Sequence, residues 1–221
     1  MTRPYTATIL GDLLAEDRTW RLRELSDLKA AIRKADSASR PVLLRALVTI
    51  AYAHWEGYIR SAARRYLELV SMRNCRFDQL HPQFLRNYFI PRLGSLYNAK
   101  KGLKERCRLV DEILQGGESH FSRADYDLVS TRSNLNTEVM DDICLVCGVD
   151  PTPYRSNSTF IDQVLLARRN SIAHGENTFI DPSDVDNLID TTISLMRTFG
   201  DAIENCAALE SFRAPVAVAH A

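Results

Sequence analysis

The sequence predicts an all-α fold, a helical bundle of about six or seven helices. Two observations carry that expectation. Apolar residues recur at helical intervals through most of the chain. No run alternates apolar and polar residues as a half-buried strand would, and no internal repeat or low-complexity tract interrupts the pattern.

The elements follow in order. "ILGDLLAEDRTWRLRELSDLKAAIRKA" places Leu14, Leu22, Leu25, Leu28 and Ile32 on one helical face. "SRPVLLRALVTIAYAHWEGYIRSAARRYLELV" is the strongest segment, with Ser39 as a candidate N-cap and Pro41 in the first turn. Its broad apolar face runs through Leu44, Leu47, Val48, Ala51, Trp55, Tyr58, Ile59, Ala62, Tyr66 and Leu69. Gly57 inside it costs about 1 kcal/mol against alanine, which implies that another backbone comes close there. Between about 75 and 130 the pattern is less regular, and Pro82 and Pro91 are expected to break it. "LKERCRLVDEIL" reads as a helix and "LQGGESHFSR" as a loop. "SNLNTEVMDDICLVCGV" opens on cap candidates and stops at Gly148. "STFIDQVLLARRNSIAHG" is the next helix, and the last begins at Asp181 and Pro182. The expectation is one domain over residues 1–221, with a frayed tail over 211–221. Trp20 and Trp55 are expected in the core.

Composition narrows the class. Hydrophobic residues make up 45% and charged residues 25%, enough apolar content for one sizeable core. The first residues lack the continuous apolar region of a secretory leader, and no segment approaches the roughly 18 apolar residues of a membrane span. A cytoplasmic protein without membrane contact is expected. Charge is balanced overall but uneven: residues 1–110 hold 21 Lys+Arg against 10 Asp+Glu, and the remainder hold 7 against 18. Either the halves neutralise each other within the fold or across a dimer, or basic helices offer a local track for a polyanion. Five cysteines include one CxxC, Cys144 and Cys147, with no second pair to complete a structural zinc site. Buried thiols are expected, with redox or metal chemistry as the alternative for this pair; no cofactor is expected.

The stretch "LLARRNSIAHGEN" concentrates polar chemistry at a helix end. An arginine followed within a few residues by a histidine recurs at His81, His174 and His220, so context must decide. His81 precedes Pro82, which disfavours helix, and His220 is next to the last residue. Only Arg169 to His174 closes an amphipathic helix with a glycine stop. Asn170 and His174, four apart, share a face. A histidine can exchange protons near neutral pH. A guanidinium can hold two phosphoryl oxygens and the charge of a pentavalent transition state. The competing reading is a C-cap cluster, with His174 and Arg169 binding the last carbonyls.

At these residues the chain resembles the HEPN superfamily, whose signature is Arg–polar–(several)–His, and within it the RiboL-PSP-HEPN branch. Three stretches carry the resemblance: "ALVTIAYAHWEGYI", "SNLNTEVM" and "FIDQVLLARRNSIAHGE". The first 38 residues match nothing in it. The resemblance implies a homodimer in which two Arg–Asn–His sets face one cleft. It implies a metal-independent endoribonuclease that cuts RNA by 2′-hydroxyl attack, used as a toxin or in phage defence, with an antitoxin or a neighbouring defence protein as partner. Carried over, Arg169 would bind phosphate, Asn170 would orient it and His174 would transfer protons. Glu56, Arg168 and Glu176 are candidate supporting residues, and Arg60, Arg64 and Arg65 candidate RNA contacts or a solvated face. His54 reads as a packed helix histidine. Glu176 stands where some HEPN toxins carry a modified tyrosine, so that control is not expected. A non-catalytic HEPN interaction module is the alternative. A helical DNA-binding regulator is disfavoured, because no basic recognition helix is evident.

Overall fold

The computed structural model describes residues 5–98, 102–132 and 134–215, and among these it is all-α. The helices are α1 (Ala7–Lys34), α2 (Arg40–Met72), α3 (Pro82–Asn98), α4 (Leu103–Leu114), α5 (Thr137–Cys147), α6 (Thr152–Arg155), α7 (Arg168–Ala173) and α8 (Asp184–Ala208). A π-helical stretch, Phe160–Ala167, runs directly into α7. The short α6 and the π–α7 division are finer than sequence periodicity resolves.

α2 is the spine, with α1 and α8 packed along it. All ten residues of its expected apolar face are buried, and so are Tyr52, His54, Ala63, Leu67 and Val70. Apolar burial at about 25 cal/mol per Å² makes such an element the centre of the core. Local chemistry fixes the ends. The Thr6 side chain accepts from Ile9 N at 3.2 Å. Asp36 Oδ1 accepts from Ala38 N and Ser39 N, so the α1–α2 turn is closed by the aspartate and Ser39 makes no side-chain cap bond. Asn136 Oδ1 accepts from Val139 N at the start of α5, and Gly148, at φ +71°, ends it.

Several expectations need correction. Pro82 opens α3, because a residue without an N–H suits the first helical position. Pro91 lies inside α3 and the helix continues through it, around the buried Phe84 and Phe89. Asp181 does not cap α8: its carboxylate accepts from the N–H and hydroxyl of Ser183, one turn ahead of the helix. Gly57 does not admit a backbone. A Cβ there would lie 2.9 Å from Arg21 Nη1, so it makes room for a buried guanidinium. Trp20 is half exposed, unlike the fully buried Trp55. Its indole N–H donates to Asp17 and its ring lies under Arg21 and against the edge of His54, an amphipathic position rather than a core one. The start of the tail is docked: Phe212 is buried, its carbonyl accepts from His81 N, and Ala214 N donates to Gln79 O. His220 lies outside the described residues, as do Ser133 and the rest of the tail from 216.

Candidate active site

The helix that carries Arg169 is built in two pieces. The π turns of Phe160–Ala167 are wider and rotate less per residue than α turns. The six residues of α7 therefore face differently from an unbroken α-helix. Phe160, Ile161 and Leu165 anchor the π stretch in the core. Asp162 Oδ1 accepts from Thr137 N at 2.8 Å and ties it to the first turn of α5.

The end of α7 closes through its own backbone. Gly175, at φ +82°, donates its N–H to Ile172 O at 3.0 Å, and Glu176 N donates to Ser171 O at 2.9 Å. This pair of bonds is a Schellman motif, and it satisfies the last carbonyls without any side chain. His174 is exposed, and among the described residues neither its ring nor the Asn170 amide makes a side-chain hydrogen bond. The imidazole is thus not a cap.

Arg169 turns inward instead. Its guanidinium carbon sits 4.1 Å from the centroid of the Tyr52 ring on α2, a cation–π distance. Nη2 donates to Asn134 Oδ1 at 3.2 Å. The Tyr52 hydroxyl accepts from Leu135 N at 2.6 Å. Burial holds the Tyr52 phenol above its ordinary pKa, against the pull of the Leu135 N–H and of Arg169. The three stretches singled out in the sequence therefore meet at one point: Tyr52 from the first, Asn134 and Leu135 from the second, Arg169 from the third. The point opens on a concavity of about 520 Å³, whose lining includes Arg60, Arg132, Arg169, Glu56, Thr131 and Tyr52. Three guanidiniums against one carboxylate give this lining a net positive charge.

The other candidates are sorted by the fold. Glu56 faces this concavity and accepts from the Thr131 hydroxyl. Arg168 points the other way and pairs with Asp184 Oδ2 at 3.0 Å, rather than supporting the site as the sequence suggested. Glu176 is exposed, and its backbone serves the helix end. Arg60 lines the concavity, Arg64 follows one turn along α2, and Arg65 folds back to donate to Ser61 Oγ. His54 is buried between α1 and α2, 2.9 Å from Glu24 Oε2, and does not line the concavity. Burial pushes the Cys144 thiol up to about 12 and the Cys147 thiol well above its usual value, which leaves both unreactive. Sequence reasoning missed Tyr52, Asn134, Thr131 and Arg132. Tyr52 lies on the apolar stripe of α2 and Asn134 among cap candidates, so neither showed a polar signal of its own. Among the described residues no group of three or more His, Cys, Asp or Glu side chains is placed to hold a metal ion. No described helix is long and apolar enough to cross a membrane.

Fold and site together define an all-α bundle of the HEPN class, with its polar chemistry at the end of one helix. The chain belongs to the RiboL-PSP-HEPN family, whose model matches residues 16–205. The match begins within α1 and takes in every residue of the concavity. No match was found among curated proteins or among solved structures. Family membership bounds the function to a ribonuclease-like enzyme or an interaction module.

Proposed function

We propose that the protein is a metal-independent endoribonuclease, acting in the cytoplasm as a toxin or phage-defence effector. One observation carries the reading: Arg169 is held by Tyr52 and Asn134 in a cationic concavity, while His174, at the end of the same helix, is exposed and relieved of capping by the backbone. An interaction module has no use for a guanidinium aimed into a concavity.

In this mechanism the scissile phosphate binds Arg169 through two non-bridging oxygens. Asn170 orients it. His174 takes the proton of the 2′-hydroxyl, whose oxygen attacks phosphorus. The bond to the 5′-oxygen breaks, and that oxygen takes a proton from a second acid. A 2′,3′-cyclic phosphate and a 5′-hydroxyl result. One Arg–Asn–His set supplies a single histidine, so the second acid comes from a homodimer, as the partner subunit's His174 across a shared cleft. The helix over residues 159–175 and a neighbouring element form the main dimer face.

The test is cleavage of single-stranded RNA in excess EDTA, with end-group analysis of the products. The expected result is cyclic phosphate and 5′-hydroxyl ends, a loss of about 10²–10⁴-fold in His174→Ala, a similar loss in Arg169→Ala, and partial recovery in Arg169→Lys. Absence of cleavage by the dimer, or full activity in Arg169→Ala, overturns the reading.

A further inference from the structure

The loop that closes one side of the Arg169 concavity also builds a second one. Ser130, Thr131 and Arg132 line the first, whereas Arg123, Tyr126 and Asp127 line a neighbouring concavity of about 430 Å³ together with Tyr88, Pro91 and Arg92 of α3. Tyr88 is 37% exposed and Tyr126 39% exposed, an uncommon pairing of two large aromatic rings in one open hollow. Tyr88 is backed by Phe77 at 5.2 Å and by the edge of Phe89 at 5.0 Å, and Arg92 lies 5.5 Å from its ring. A ring so held loses little freedom when something stacks on it.

The two concavities are linked by cations. Arg169, Arg132 and Arg60 line the first. Arg64 stands one α2 turn, about 6 Å, beyond Arg60, a step similar to that between successive phosphates of a single strand. Burial and Glu68 raise the Tyr126 phenol above its ordinary value, against the opposing charge of the nearby Arg64 and Arg123. The carboxylates fit the same division. Asp142 lies 3.7 Å from Arg132. Asp125 accepts from Asp127 N within its own turn. Asp127 is exposed at the second hollow, where it repels a phosphate but accepts from the N–H groups of a base.

We infer that the Tyr88–Tyr126 hollow is a stacking platform for an unpaired base flanking the scissile phosphate, with the strand backbone following Arg169, Arg132, Arg60, Arg64 and Arg123. The inference rests on RNA being the substrate held at Arg169. Such a platform takes an unpaired base, because the bases of a duplex are stacked on one another and cannot lie on these rings.

The test uses the full chain and a 12-nucleotide single-stranded RNA, read in two ways. The first is photocrosslinking of RNA carrying 4-thiouridine, mapped by mass spectrometry, which does not depend on cleavage. The second is the KM for the 12-mer beside that for a trinucleotide. The platform requires crosslinks at Tyr88 or Tyr126 and, where the 12-mer is cleaved, a KM for it raised roughly tenfold in Tyr126→Ala. Tyr126→Phe should behave as the parent, the trinucleotide should be unaffected, and a hairpin duplex should bind no better in the parent than in Tyr126→Ala. Arg123→Ala should lower the salt dependence of 12-mer binding by about one ion. Crosslinks at Tyr126 without any cleavage would keep the platform and sink the ribonuclease reading. Cleavage with an unchanged 12-mer KM in Tyr126→Ala and crosslinks elsewhere would do the reverse.

Discussion

Tyr52 and Arg169 come from helices far apart in the chain, yet the guanidinium lies 4.1 Å from the ring centroid while the ring's hydroxyl holds Leu135 N. One side chain thus aims the arginine with its face and anchors the loop that carries Asn134 with its edge. The two tasks are separable. Tyr52→Phe should keep cleavage within a few-fold but leave Leu135 N without its partner, lowering stability by about 1–3 kcal/mol in urea unfolding. Tyr52→Leu should lose the π face as well and lower kcat/KM by up to about tenfold.

The backbone closure of α7 separates the histidine from its glycine. His174→Ala should leave the melting temperature within a degree or two and the far-UV circular dichroism unchanged, since no carbonyl depends on the ring. Gly175→Ala forces a side chain into φ +82° and should cost about 1 kcal/mol or more. A larger melting loss in His174→Ala than in Gly175→Ala would restore the capping role.

Gly200 on α8 is fixed by Tyr58. A Cβ at Gly200 would collide with the Tyr58 hydroxyl, and among the described residues that buried hydroxyl has no hydrogen-bond partner. Gly200→Ala should therefore destabilise by about 1–3 kcal/mol despite the better helix propensity of alanine. Tyr58→Phe alone should be close to neutral, and in the double variant it should recover much of the loss. Additive effects in that cycle would contradict the contact.

His54 sets a pH dependence. Burial first, and Arg21 next among the lowering causes, hold its pKa below 6.5, while Glu24 opposes them. The unfolded chain protonates at about 6.5, before the folded one. Stability from this residue is present above that value and is lost as pH falls through the folded pKa. The urea midpoint should fall between about pH 7.5 and about pH 5, and the fall should be shallower in His54→Gln. An unchanged slope in the variant would assign the acid sensitivity to other groups.

The sequence by itself determined the all-α class and the long helices α1, α2 and α8, the burial of α2 along its whole apolar face, the stop at Gly148 and the polar cluster at the end of α7. These depend on residues within one or two turns of each other: apolar spacing selects a face, a cap side chain meets an N–H three residues on, and glycine admits a left-handed stop. The helix through Pro91 and the half-exposed Trp20 escaped it, because burial of Phe84 and Phe89 in one case, and a stacked Arg21 in the other, outweigh local preference. The tertiary structure alone decided what Arg169 and its neighbour do. Arg168 and Arg169 are adjacent and chemically identical, and no local rule separates them. Adjacent positions on α7 face about 100° apart, and packing across the bundle sets Arg168 against Asp184 and Arg169 onto Tyr52 and Asn134, which assigns one arginine to an ion pair and the other to the concavity.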